Sequence, residues 1–137
     1  FVQDNHSRST FGTLRGLHFQ KNHPQGKLVR VSKGRVLDVA VDIRQESSTF
    51  GHSEIFELSD KNFHQVWIPP GFAHGFLVLS NIADFEYKCT DYYQPEDEQS
   101  IFWRDSDLSI PWPEDIKILI SDRDASAQSF KEYCNKL

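Results

Sequence analysis

The sequence contains no methionine in its 137 residues and only two cysteines, Cys89 and Cys134. A translated chain begins on Met, so one that opens Phe1-Val2-Gln3-Asp4 is expected to have its native start upstream of Phe1. Two cysteines are too few for a disulfide framework and match no metal-ligand spacing, which fits a reducing compartment. No cluster of Lys or Arg is present. The formal charge is -5, from 15 basic and 20 acidic residues, and this argues against nucleic-acid binding, because phosphate neutralisation needs a basic face. Apolar runs such as Gly75-Phe76-Leu77-Val78-Leu79 fall far short of the ~20 residues that cross a bilayer as a helix. Repeats, linkers and low-complexity tracts are also missing. What remains, 38% hydrophobic and 26% charged residues, is a globular composition. The length suits one domain, residues 1–137, burying about two thirds of its unfolded surface.

Aromatic residues, 11 of them Phe, recur in short alternating stretches broken by Gly, Pro, Asn and Asp. Leu37, Val39, Val41 and Ile43 share one face and Asp38 and Asp42 the other, with Lys33-Gly34 as the turn before them. Val29 and Val31 continue the pattern upstream. Further strands are expected at 53–58, 65–68, 74–79, 84–92 and 100–103, and a single helix at 125–134. Many short strands without alternating helices predict an antiparallel sandwich or small barrel filled by every second side chain.

In such a barrel, polar residues on inward faces are the functional candidates, because burying them unpaired costs several kcal/mol. Lys27 shares a face with Val29 and Val31, His74 with Phe76 and Val78, and Tyr87 lies between Phe85 and Cys89. His18 stands in Arg15-Gly16-Leu17-His18-Phe19-Gln20. Singly, each has an ordinary reading as a snorkelling lysine, a core tyrosine or a hydrogen-bonded histidine.

Pro69-Pro70-Gly71-Phe72-Ala73-His74 resembles the second cupin motif, P-x-G-x-x-H. The first motif normally supplies H-x-H and then Glu before a glycine, to hold a divalent metal. Here Gln20 takes the place of the second histidine and Lys27 that of the glutamate. A site so altered loses its anion and gains a cation that repels the ion, so no metal is expected. More extended blocks are similar to the dTDP-4-dehydrorhamnose 3,5-epimerases, metal-independent cupins of nucleotide-sugar metabolism. They are Phe1 to Ser7, Leu14 to Gln20, Gly26 to Val31, Asp38 to Arg44, Trp67 to Pro69, Gly71 to Phe76, Tyr87 to Thr90 with Tyr92-Tyr93, and Ser121 to Asp124.

The resemblance implies an all-β fold, a cupin-type antiparallel jelly-roll barrel with a short C-terminal helix. It implies a cofactor-free epimerase that inverts C3 and C5 of dTDP-4-dehydro-6-deoxy-D-glucose. The product precedes L-rhamnose, destined for O-antigen lipopolysaccharide or cell-wall polysaccharide. On the family pattern His18 is the base, paired with Asp124, which is chosen over Asp122 because the block reads basic residue then Asp. Lys27 faces the ketone oxygen, His74 adds a hydrogen bond there, and Tyr87 returns the proton on the opposite face. Arg15 contacts the diphosphate. Gln3, Asn5, Tyr93, Glu98 and Arg123 are further substrate-binding candidates at the sugar and thymidine end. Family members are cytoplasmic homodimers with a further N-terminal segment that reaches the neighbour's nucleotide site, and the resemblance here starts without it. The alternatives are a single-site 3- or 5-epimerase of a related dTDP-deoxysugar, a nucleotide-sugar-binding cupin without turnover, and a metal-dependent oxygenase using His18 and His74.

Overall fold

A computed structural model describes all 137 residues. Nine strands carry the chain: β1 (Gln3–Thr10), β2 (Leu14–Gln20), β3 (Lys27–Lys33), β4 (Arg35–Asp42), β5 (Ser53–Ser59), β6 (Gln65–Ile68), β7 (Phe72–Val78), β8 (Ile82–Cys89) and β9 (Glu98–Ser100). Two short helices follow, α1 (Asp122–Ala125) and α2 (Phe130–Asn135). The strands form two antiparallel sheets, ordered β1-β8-β3-β6 and β5-β4-β7-β2-β9. This is the expected all-β, cupin-like architecture.

Strand alternation divides the apolar residues between two cores. Val29, Val31, Val36, Ala40, Phe76, Val78 and Phe85 fill the space between the sheets. Leu14, Leu17, Phe19, Val39, Val41 and Leu77 point the other way, where Leu108, Trp112 and Tyr133 of the C-terminal segment cover the five-stranded sheet. Both faces of β4 are therefore buried. Asp38 and Asp42, read as the polar face of that strand, are 0% and 1% exposed and lie on its inter-sheet side. Asp42, at the strand's end, is satisfied by the Arg44 guanidinium and the Ser47 and Thr49 hydroxyls.

Several boundaries differ from the sequence expectation. The strands β1 and β2 lacked enough apolar alternation to be read as such: β1 exposes every second residue and buries only Ser9. The last expected strand, 100–103, lies earlier, at Glu98–Ser100, and β8 ends at Cys89. The single expected helix is two, because Gln128 bridges Ile101 in extended conformation and Ser129 starts α2 afresh with a capping box to Glu132.

An irregularity in β2 positions the site. Arg15 pairs with Phe76 and His18 with His74, a step of three positions in β2 against two in β7, because the register shifts between them. The shift turns both side chains toward the space between the sheets, where strict alternation would send one of them outward. It occurs at Gly16, whose φ is +124° and whose peptide bond to Leu17 is cis. A Cβ at Gly16 would stand 2.6 Å from Gly75 Cα and 2.7 Å from the His74 carbonyl oxygen. Glycine is thus required twice, for the backbone angle and for the contact between β2 and β7. Gly16→Ala is expected to cost at least about 2 kcal/mol, read as a lower urea midpoint at unchanged slope. An unchanged midpoint would show that β2 tolerates the side chain.

Candidate active site

Five strands deliver polar side chains to one cavity of about 240 Å³ between the sheets. His18 and Arg15 come from β2, His74 from β7, Lys27 from β3, Tyr87 from β8 and Asn5 from β1. Phe76 and Phe85, stacked with centroids 4.1 Å apart, form its apolar wall. A neighbouring hollow of about 460 Å³ shares Arg15 and His18 and adds Arg123 and Asp124.

His18 is held from behind. Its Nε2 lies 2.7 Å from Asp124 Oδ1, and Asp124 Oδ2 accepts the Gly16 backbone N–H at 3.1 Å. Asp124 is brought there by α1, whose N-cap Ser121 hydroxyl accepts the Asp124 N–H. Burial alone would raise the Asp124 carboxyl, but His18, the Gly16 amide and Arg123 hold it below the usual carboxylate range. It therefore stays an acceptor, the Nε2–H donates to it, and Nδ1 is the free ring nitrogen of His18. Asp122, the other acidic candidate, is exposed.

Lys27 and Tyr87 are neighbours in the opposite sheet, with the ammonium 5.6 Å from the phenol ring centroid. Burial pushes the Lys27 ammonium down, while Cys89, Glu98 and Asp38 act to raise it. Burial, then Cys89 and Glu98, pushes the Tyr87 phenol up to about 12. One sheet thus supplies an imidazole backed by a carboxylate, and the other a cation and a phenol that keeps its proton at neutral pH.

The remaining sequence candidates form a rim and do not line the 240 Å³ cavity. Gln3 donates to Asn5 Oδ1 at 3.0 Å and accepts the Tyr93 backbone N–H at 2.8 Å. The Tyr93 side chain stands out at the surface. Glu98 pairs with Arg123 at 3.0 Å. Gln20, at the place of a cupin ligand histidine, clamps loops: its amide donates to the His23 and Tyr92 carbonyls and its oxygen accepts the Gln94 N–H.

Sequence reasoning passed over Asp38, which bonds His74 at 2.7 Å in the buried interior. Its alternation with Val36 and Ala40 was the available signal. It also treated Phe76 and Phe85 as neighbours that marked an inward face, without reading them as cavity wall.

The family model for dTDP-4-dehydrorhamnose 3,5-epimerase matches residues 1–132. The dTDP-4-dehydrorhamnose 3,5-epimerase of Pseudomonas aeruginosa is 53% identical over 132 residues, which cover 96% of this chain and 73% of that one. The dTDP-6-deoxy-D-glucose-3,5-epimerase of Legionella pneumophila, solved in complex with dTDP-4-keto-L-rhamnose, is similar with a TM-score of 0.94 and 56% identity, over 96% of this chain and 70% of that chain. A 3'-monoepimerase of Streptomyces bikiniensis, solved with dTDP-quinovose, gives 0.92 and 37%, over 98% and 70%.

The electrostatics of the cavity can be checked without a substrate. In an alkaline absorbance titration, the phenolate signal lost in Tyr87→Phe should belong to a group ionising near pH 12. A missing component near the ordinary ~10 would mean that Tyr87 is solvated.

Proposed function

Since the chain belongs to the dTDP-4-dehydrorhamnose 3,5-epimerase family, we propose that it inverts C3 and C5 of dTDP-4-dehydro-6-deoxy-D-glucose to give dTDP-4-dehydro-6-deoxy-L-mannose. The observation that carries this reading is the pairing of His18, backed by Asp124, on one wall of a cavity with Lys27 and Tyr87 on the other.

Carbons flanking a ketone are acidic because their deprotonation yields an enolate whose charge rests on the oxygen. His18 takes the proton through Nδ1, and Asp124 stabilises the imidazolium that forms. Lys27 stands at the enolate oxygen, where a fixed cation out of bulk water stabilises developing charge better than water does. Tyr87, from the opposite sheet, gives its proton to the other face of the carbon. In the gluco configuration the C3 and C5 hydrogens are both axial on the same face of the ring. One base and one acid therefore serve both carbons in turn. After each inversion His18 holds an extra proton and Tyr87 lacks one, and exchange with solvent resets them.

Arg15, reaching both hollows and held by Ser9 at 3.3 Å, takes the diphosphate. Gln3, Asn5, Tyr93, Glu98 and Arg123 recognise the rest of the nucleotide sugar. The reading includes a cytoplasmic homodimer whose product supplies L-rhamnose for a surface polysaccharide, and family membership is its support. No helix is long and apolar enough to cross a membrane.

Reaction in D₂O followed by proton NMR should place deuterium at both C3 and C5 in the product. Absence of exchange at both carbons overturns catalysis, and exchange with inversion at one alone replaces the reading with a single-site epimerase. His18→Ala should abolish exchange, a loss of at least about 10³-fold. Lys27→Met should cost about 10²–10³-fold. Tyr87→Phe should keep exchange from the base's face while losing inversion.

A further inference from the structure

One fully buried acid has no part in the reaction as described. Asp38, in β4, faces the space between the sheets and is 0% exposed. Its Oδ1 lies 2.7 Å from His74 Nε2, while Oδ2 is sealed from solvent without a hydrogen-bond partner. His74 Nδ1 also makes no hydrogen bond within the chain, but it is not sealed in this way, and His74 lines the 240 Å³ cavity. We propose that Asp38 is a positioning residue that fixes His74 as the Nε2–H tautomer, so that Nδ1 meets the substrate as an acceptor for the hydroxyl adjacent to the ketone. The inference deepens the epimerase reading and rests on it for the identity of the substrate.

The chemistry follows from donor counts. An ionised carboxylate only accepts, so the proton between Asp38 and His74 resides on Nε2, and a neutral imidazole then carries a lone pair on Nδ1. The charged and titratable groups around the ring are Asp38 from β4, Lys27 from β3 and His18 from β2, with the Phe85 ring stacked at 5.9 Å. Burial pushes the His74 imidazole down, Asp38 opposes this, and Lys27 and His18 reinforce it, so the ring is neutral near pH 7. Such a ring cannot donate to the ketone oxygen, the role that the resemblance implies for His74. Lys27, which only donates, serves the oxygen alone. A donor-only group beside an acceptor nitrogen matches a ketone next to a hydroxyl, the arrangement of C4 and C3 in the proposed substrate. A site built to bond a hydroxyl rejects the analogue lacking it, because its acceptor is left unpaired.

The direct test needs no substrate. In the whole protein labelled with ¹⁵N-histidine, long-range ¹H–¹⁵N correlations at pH 7 should show His74, assigned by its loss in His74→Gln, with a protonated Nε2 and an unprotonated Nδ1. A protonated Nδ1, as a neutral Asp38 acid would impose, or a doubly protonated ring overturns the proposal even if epimerase activity is intact. The second arm is kinetic. Asp38→Leu should lower kcat/KM on the natural substrate about 100-fold. A 3-deoxy analogue, followed by deuterium entry at C5, should lose a similar factor with the wild-type protein and little more with the variant, since both changes remove one interaction. Losses that multiply would show that Asp38 acts elsewhere. If the leucine variant does not fold, Asp38→Ala replaces it in the same cycle, because the amide oxygen of Asp38→Asn would still accept the Nε2–H. Correct tautomer with no epimerisation would leave Asp38's role standing and remove the reaction.

Discussion

The carboxylate of Asp124 is the contact on which the rest of the site depends. It ties α1 near the C-terminus to two points of β2, the irregular backbone at Gly16 and the ring of His18. Each bond has a distinct effect. The bond from Gly16 N–H satisfies a backbone donor that the register shift removes from the regular ladder. The bond from His18 fixes which ring nitrogen faces the cavity. Because the same buried carboxylate makes both, the fold of β2 and the orientation of the imidazole are linked, and loss of the acid would disturb strand and base together.

The two cores divide stability from chemistry. The outer core, where Leu108, Trp112 and Tyr133 cover the five-stranded sheet, is built on apolar side chains, and the Tyr133 hydroxyl and Trp112 indole N–H in it are bonded to backbone carbonyls. The inter-sheet space contains Lys27, Asp38, His74 and Tyr87 beside Val29, Ala40 and Phe85. A lysine ammonium pushed down and a phenol pushed up by burial both report a dry environment that opposes charge. Such groups weaken a fold unless compensated, and proteins commonly carry that cost at functional sites. The outer apolar layer contributes the stability that lets the inner face hold charge.

Two histidines in this barrel are each bonded through Nε2 to a carboxylate at 2.7 Å, yet their surroundings differ. His18 is partly open and its Asp124 has both oxygens bonded. His74 is nearly sealed, and Asp38 has one oxygen with no partner. The first arrangement suits a base that must gain and lose a proton. The second suits a ring held in one state. Placing His18 and Tyr87 on opposite sheets also gives the cavity two chemically different walls, which the proposed inversion at carbon requires.

Much of this was legible in the chain itself. Alternation in Leu37 to Ile43 and around Phe85 to Cys89 identified strands because period-2 burial leaves a local mark, and the same alternation exposed Lys27, His74 and Tyr87 as polar residues facing inward. The motif blocks placed His18 and Asp124 in one reaction. Strands β1 and β2 left no such mark, since one has a largely polar sequence and the other is broken by a register shift. The helix expected at 125–134 failed at Gln128, where a bridge to Ile101 outweighs local propensity. Residue types, the inward faces of Lys27, His74 and Tyr87, and the chemistry such groups can perform follow from local pattern alone. Folding alone brings Arg15 and His18 to one face, carries Asp124 back across more than a hundred positions and sets Asp38 against His74. Those relations depend on backbone irregularity and on pairing between distant strands, and neither is encoded in any local period.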